Sequence, residues 1–363
     1  MTKSRLVLIK ALGQHLWLDN LSRTLLREGT LQRLIDEDGV DGVTSNPAIF
    51  RKAIAESPYY ADDLTRLRAA GYAPEACYEA LVIPDIQAAC DILQPAYAAS
   101  SGETGYVSLE VSPELAHDAA ATVAAAHRLR QAVDRANLLI KVPATPAGLL
   151  AFEELTASGV PVNVTLIFSL AQYEAVAQAY LRGAQRWLAA DGSADRLRSV
   201  ASVFLSRVDT LVDQRLENIG TPLARILRGW SGLALAKCCY RRYLELFHGP
   251  AFATLAQAGV HPQTPLWAST GTKNPAYSDL LYVEALVGPE TINTLPDATL
   301  AAFRQHGQAQ ALLADGLEKS RYHIVALSKQ GIDLDEVGKT LQDEGLNLFV
   351  EAYREILTDM AGS

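Results

Sequence analysis

Eight short runs with strand character recur along the chain, each separated from the next by a helical stretch, and this alternation limits the possible folds more than any other feature. The runs are His15–Asp19, Val40–Thr44, Tyr106–Val111, Leu138–Val142, Val160–Thr165, Val200–Leu205, Pro265–Ser269 and, more weakly, Glu290–Thr294. Strand and helix in alternation pack as a parallel sheet covered by its crossover helices. Eight such units in 363 residues predict an α/β fold, a (β/α)8 TIM barrel with additional helices, with residues 1–363 forming one domain rather than two. Helix signals agree. Ser169 starts a helix with Gln172 at the capping-box position and Leu170, Tyr173, Val176, Ala177, Tyr180, Ala184 and Trp187 at helical spacing. Ala116–Asp134 is an alanine-rich helix, and a long periodic pattern runs from Asp333 to Met360. The crossovers Asn20–Asp38 and Pro47–Ser101 are long enough to hold further helices.

Successive side chains of a strand point to opposite faces. Val107, Leu109 and Val111 therefore oppose Tyr106, Ser108 and Glu110, and Leu138, Ile140 and Val142 oppose Leu139 and Lys141. In the same way Val162, Val164 and Leu166 oppose Asn163 and Thr165; Ala201, Val203 and Leu205 oppose Ser202 and Phe204; Leu16 and Leu18 oppose Trp17 and Asp19. One face is apolar and the other turns polar toward the C-terminal end. In a closed barrel the first face packs on helices and the second meets the mouth where catalytic groups gather. Asp19, Thr44, Asn46, Glu110, Lys141, Asn163, Thr165, Ser202 and Ser269 are expected to converge there. Taken singly, several have simpler readings: Asp19-Asn20 could cap the next helix, Ser45-Asn46-Pro47 reads as a turn, and Ser202 could bond to backbone.

Lys141 stands out as a lone cation in the apolar run Leu138-Leu139-Ile140-Lys141-Val142-Pro143. Lysine is rarely fully buried without a partner, and desolvation lowers its pKa from about 10.4 and frees the amine as a nucleophile. That is the chemistry of a Schiff-base lysine. The alternative is a strand-end lysine whose stem lies on the sheet while its head reaches water.

The rest of the composition narrows the chemistry. A formal charge of −9 with no basic run gives no nucleic-acid footprint, so an anionic ligand needs a local cationic pocket. Cys77, Cys90, Cys238 and Cys239 lack C-x-x-C spacing, which argues for reduced thiols in the cytoplasm. The seven histidines are scattered without a zinc-binding pattern, so no metal is expected. Gly271-Thr272-Lys273 lacks the upstream glycine of a nucleotide loop. After Met1-Thr2-Lys3-Ser4-Arg5, the apolar run Leu6–Ile9 is too short for a signal segment, and no run is long enough to span a membrane.

Six ordered motifs at strand ends carry a family resemblance. They are Leu16-Trp17-Leu18-Asp19-Asn20, Gly42-Val43-Thr44-Ser45-Asn46-Pro47-Ala48-Ile49-Phe50, Val107-Ser108-Leu109-Glu110-Val111-Ser112, Leu139-Ile140-Lys141-Val142-Pro143, Asn163-Val164-Thr165-Leu166-Ile167-Phe168 and Ser202-Val203-Phe204-Leu205-Ser206-Arg207-Val208-Asp209. Together they resemble the transaldolases, class I lysine-dependent enzymes of the pentose phosphate pathway. The resemblance implies that Lys141 condenses with a ketose phosphate and carries a dihydroxyacetone unit to an aldose phosphate, with no cofactor. By the same resemblance Asp19 handles the C4 hydroxyl proton, and Glu110 and Thr165 position a water that shuttles protons. Asn46, Asn163 and Ser202, supported by Thr44, would hold the dihydroxyacetone hydroxyls. Phosphate would fall to Arg207, Ser269 and Lys273, the last standing where an arginine is commoner in the family. The segment Trp267–Pro275 and the long chain are similar to the bacterial subgroup that also occurs fused to glucose-6-phosphate isomerase. Sugar phosphates are thus the implied partners, with neither nucleic acid nor membrane, for a monomer or homodimer. Two other readings compete. Fructose-6-phosphate aldolases share the barrel and lysine but are shorter and carry tyrosine where Phe204 stands, and a non-catalytic barrel could simply bind sugar phosphate.

Overall fold

The computed structural model describes residues 4–362, so Met1–Lys3 of the N-terminal segment lie outside the described residues. The expected runs form β1 (Gln14–Leu18), β2 (Gly42–Thr44), β3 (Tyr106–Glu110), β4 (Leu138–Pro143), β5 (Val162–Ile167), β6 (Ser199–Phe204), β7 (Thr264–Ala268) and β8 (Thr291–Leu295). They close in sequence order into a parallel barrel, β8 returning to pair with β1. This is the (β/α)8 architecture read from the alternation.

Strand limits move by a residue or two, for local reasons. Glu290 and Ser269 have left-handed backbone, φ 58° and 55°, so β8 begins after the one and β7 ends before the other. The fifth strand continues past Thr165 through a register shift between Val164 and Ile167, where Leu166 takes φ 60°. The alanine-rich helix starts at Ala119 rather than Ala116, because Asp118 caps it by accepting from Ala121 N at 2.9 Å. The first crossover holds helices Arg23–Arg27 and Thr30–Asp38, and the second holds Pro47–Glu56, Ala61–Ala69 and Pro74–Ala99. Ser22, and not Asp19 or Asn20, caps the Arg23–Arg27 helix. No helix among the described residues is long and apolar enough to cross a membrane.

The register brings the polar ends of neighbouring strands level. Glu110 lies opposite Lys141, Lys141 opposite Asn163, and Pro143 opposite Thr165. The polar groups inside the barrel bond to one another: Asn163 Nδ2 donates to Ser108 Oγ at 3.1 Å, and Ser202 Oγ donates to Asn163 Oδ1 at 2.7 Å. Toward the other end of the barrel, Trp17 is 1% exposed and lies against Gly42, its partner in register. The closing helix, Leu334–Ala361, lies over the C-terminal ends of β4 and β5. Its Gln342 Nε2 donates to Ala144 O at 2.9 Å and Leu166 O at 3.0 Å, so the carbonyl turned out by the irregularity in β5 is satisfied from the helix.

The contact at Gly42 is testable. A Cβ there would lie 2.4 Å from the Trp17 ring, which is itself packed in the core. Gly42→Ala should destabilise the fold by about 1–3 kcal/mol, the usual cost of overpacking. Urea unfolding would reveal it as a lower midpoint at unchanged m-value, and an unchanged midpoint would mean that Trp17 can yield.

Candidate active site

A cavity of about 250 Å³ opens at the C-terminal end of the barrel. Asp19, Thr44, Asn46, Lys141, Thr165, Ser202, Phe204, Arg207, Ser269 and Lys273 all line it, so residues spread over more than 250 positions of sequence surround one space. Of the residues singled out from the sequence, only Glu110 and Asn163 do not line it. Asn163, level with Lys141 in register but fully buried, reaches the cavity through Ser202, which it orients. Glu110 lines a neighbouring cavity outside the barrel, between the Pro47–Glu56, Pro74–Ala99 and Ala119–Val133 helices, yet its carboxylate meets Lys141.

Lys141 sits at the base of the site with its side chain 5% exposed. Its Nζ lies 3.2 Å from Glu110 Oε2, donates to Ser45 O at 3.1 Å, and stands 5.7 Å from the centre of the Phe349 ring. The ammonium does not snorkel; it is held inside by a carboxylate, a carbonyl and an aromatic face. Burial pushes Glu110 above the usual carboxylate range, against the pull of Lys141. Beside them Thr165 Oγ is buried with no hydrogen-bond partner among the described residues.

Asp19 follows the last residue of β1, tied to the barrel by its N–H donating to Leu295 O at 2.9 Å. Burial raises its pKa, while Lys141 and the Thr44 hydroxyl, 2.8 Å from Oδ1, oppose that rise. Thr44 has one proton to give and also lies 2.7 Å from Thr294 Oγ. Donation from Thr294 to Thr44 and from Thr44 to Asp19 satisfies all three. Asn46 does two things at once: its Oδ1 caps the Pro47–Glu56 helix through Ile49 N at 3.0 Å, and the residue still borders the cavity.

Positive charge collects on the β6–β7 side. Arg207 is in the first turn of the Ser206–Ile219 helix, its guanidinium 5.9 Å from the centre of the Phe204 ring. Burial lowers its pKa, which Glu344 partly offsets. Ser206 and Ser269 share a hydrogen bond of 2.8 Å that joins this helix to the end of β7. Neither Arg207 nor Lys273 forms an ion pair among the described residues. Two cations facing one cavity and not engaged in ion pairs can attract an anionic ligand. No cluster of His, Cys, Asp and Glu among the described residues is placed to hold a metal ion.

The family model for transaldolase/fructose-6-phosphate aldolase matches residues 16–360. The chain belongs to this family. A transaldolase from Thiobacillus denitrificans is 54% identical over 97% of this chain and 98% of its own length. One from Neisseria gonorrhoeae is 45% identical over 97% and 98%, and one from Thermobifida fusca 46% over 96% and 95%. With near-complete coverage by such relatives, this chain is an enzyme of the transaldolase type.

Other lining residues went unnoticed in the sequence. Thr294 ends the expected run Glu290–Thr294 as Thr44 ends β2, so the same parity could have singled it out. Phe349 had only core-like helical spacing, and its place over Lys141 depends on where the closing helix docks.

The Thr44–Asp19 contact predicts a pH effect with a definite sign. The hydroxyl stabilises the ionised carboxylate, so Thr44→Val should make Asp19 titrate at higher pH than in the parent. Carbon-13 NMR of the aspartate carboxyls, with Asp19→Asn to assign the resonance, would check it; a downward or absent shift would mean that Thr44 does not donate to Asp19.

Proposed function

We propose that this cavity transfers a dihydroxyacetone unit from a ketose phosphate, sedoheptulose 7-phosphate or fructose 6-phosphate, to an aldose phosphate, glyceraldehyde 3-phosphate or erythrose 4-phosphate. The observation that carries the reading is a buried Lys141–Glu110 pair at the base of a cavity that also holds two cations without ion pairs. Lys141 must give up a proton before its amine can attack the C2 carbonyl, and Glu110, whose burial favours the protonated form, lies close enough to take it. The carbinolamine then loses water. Glu110 and the Thr165 hydroxyl are the groups we assign to hold that water and pass its protons.

In the protonated imine, Asp19 takes the C4 hydroxyl proton. The C3–C4 bond breaks, its electron pair moves onto the imine to leave an enamine, and the aldehyde departs. Asn46 and Ser202, the latter oriented by Asn163, hold the hydroxyls of the three-carbon unit, with Thr44 supporting Asp19. The acceptor aldehyde is attacked by the enamine, Asp19 returns the proton, and hydrolysis frees Lys141. Arg207, Ser269 and Lys273 take the phosphate remote from the reacting carbons. Phe204 favours transfer over release: it packs on Phe168 with ring centres 5.2 Å apart and has no hydroxyl to activate a water against the enamine. We assign these roles to the whole chain acting as one barrel domain in the cytoplasm.

Borohydride reduction in the presence of fructose 6-phosphate should attach the three-carbon unit to Lys141. Peptide mapping that placed the label on Lys273 or another lysine would refute the assignment, and a protein that only binds sugar phosphate would take no label.

Asp19 and Glu110 should separate the two halves of the cycle. Asp19→Ala is expected to form the imine but cleave it slowly, whereas Glu110→Ala should be slow in imine formation, each by roughly 10²- to 10⁴-fold. Rapid-quench trapping resolves the steps; equal defects in both would rule out this division.

A further inference from the structure

The loop after β7 carries Lys273 and is fastened to the helix that carries Arg207. Asp209 and Asp213 lie one turn apart on the Ser206–Ile219 helix, and each carboxylate accepts a tyrosine hydroxyl and backbone N–H. Tyr277 donates to Asp213 Oδ2 at 2.6 Å while Gly229 N donates to Oδ1 at 2.8 Å. Tyr282 donates to Asp209 Oδ2 at 2.6 Å while Gly232 N donates to Oδ1 at 2.9 Å. The Tyr277 ring lies flush on Gly229, where a Cβ would come within 2.6 Å of the ring and where φ is 72°. Within the loop, Thr272 Oγ donates to Ser278 O at 2.8 Å and Tyr277 N to Asn274 O at 3.1 Å. The turn that bears Lys273 is therefore closed on itself by bonds that include Tyr277. Lys273 is exposed and has no ion pair among the described residues, so its position depends on how this turn is anchored.

We propose that Tyr277, through its hydrogen bond to Asp213, is a positioning residue that sets the spacing between Lys273 and Arg207 and so tunes use of phosphorylated acceptors. The inference rests on the phosphate role assigned above to those two cations. Two cations bind one phosphate well only when held at a fixed separation; a free loop would have to be ordered on each binding event. The hydroxyl contributes this order without touching substrate or the reacting atoms.

Tyr277→Phe keeps the ring on Gly229 and deletes only the hydroxyl. With glyceraldehyde 3-phosphate as acceptor, kcat/KM should fall about three- to tenfold, mostly through KM, as expected for one lost hydrogen bond. With unphosphorylated glyceraldehyde it should be unchanged. Asp213→Asn provides the rescue test, because the tyrosine hydroxyl can accept from an amide as well as donate to a carboxylate; it should retain the parent's preference for the phosphorylated acceptor, and Asp213→Ala should lose it. Lys273→Ala measured on the same two acceptors is the reference for a lost phosphate contact. If Lys273→Ala is selective for the phosphorylated acceptor and Tyr277→Phe is not, the positioning role is wrong and the phosphate reading stands. If Lys273→Ala is not selective, the phosphate reading fails and the positioning role falls with it. An equal loss on both acceptors in Tyr277→Phe would mark the hydroxyl as merely structural and overturn the proposal.

Discussion

The buried pair of Lys141 and Glu110 is the constraint around which the catalytic end of this barrel is arranged. Removing two charges from water is costly, and their attraction offsets that cost only when the geometry is good and the remaining donors are satisfied. Here the ammonium also donates to the Ser45 carbonyl and faces the Phe349 ring, so three separate parts of the chain converge on one nitrogen. Loss of one partner from such a pair typically costs about 3–5 kcal/mol because the other is left charged in a poor solvent. Replacing such a pair by well-packed apolar residues is often neutral or stabilising, so its presence is weak evidence for stability as its purpose.

The closing helix is the second element on which the site depends. Gln342 binds two carbonyls at the ends of β4 and β5, and Gly345 lets the helix approach Leu166 and Arg207, whose Nη1 would be 3.3 Å from a Cβ there. The same helix then delivers Phe349 to the cavity. Its docking links the irregularity in β5, the orientation of Arg207 and the aromatic wall over Lys141. The Ser206–Ile219 helix that the closing helix meets at Arg207 is in turn tied to the loop after β7 by the Ser206–Ser269 bond and the two tyrosine–aspartate contacts. The mouth is thus braced by both helices, and Ser202 is held in place by its bond to Asn163, which bonds Ser108 in turn.

Much of this was legible in the sequence because a strand has a period of two. Once eight runs were recognised, parity alone predicted that Lys141, Glu110 and Thr165 share the interior face, and level register did the rest. Local chemistry was legible in part: Ser169 caps its helix as expected, whereas Asp118 sets the alanine-rich helix to start at Ala119 rather than Ala116, and Asn46, expected in a turn, caps a helix while facing the cavity. Parity could not foresee Leu166, since an irregular residue breaks the period it relies on, nor that Glu110 would border a cavity outside the barrel while its carboxylate reaches Lys141.

The sequence by itself determined the barrel, the strand faces and most of the polar strand-end residues at the mouth, because hydrophobic period and strand-end chemistry are local properties written in neighbouring positions. Only the tertiary structure decided that Phe349 covers the lysine, that Gln342 closes the break in β5, and that Asp209 and Asp213 anchor the loop bearing Lys273. Those contacts join residues between 64 and 208 positions apart in the chain. Nothing local encodes them: a phenylalanine at helical spacing looks the same whether it packs on the core or over a buried lysine, and the difference is set by where the helix docks.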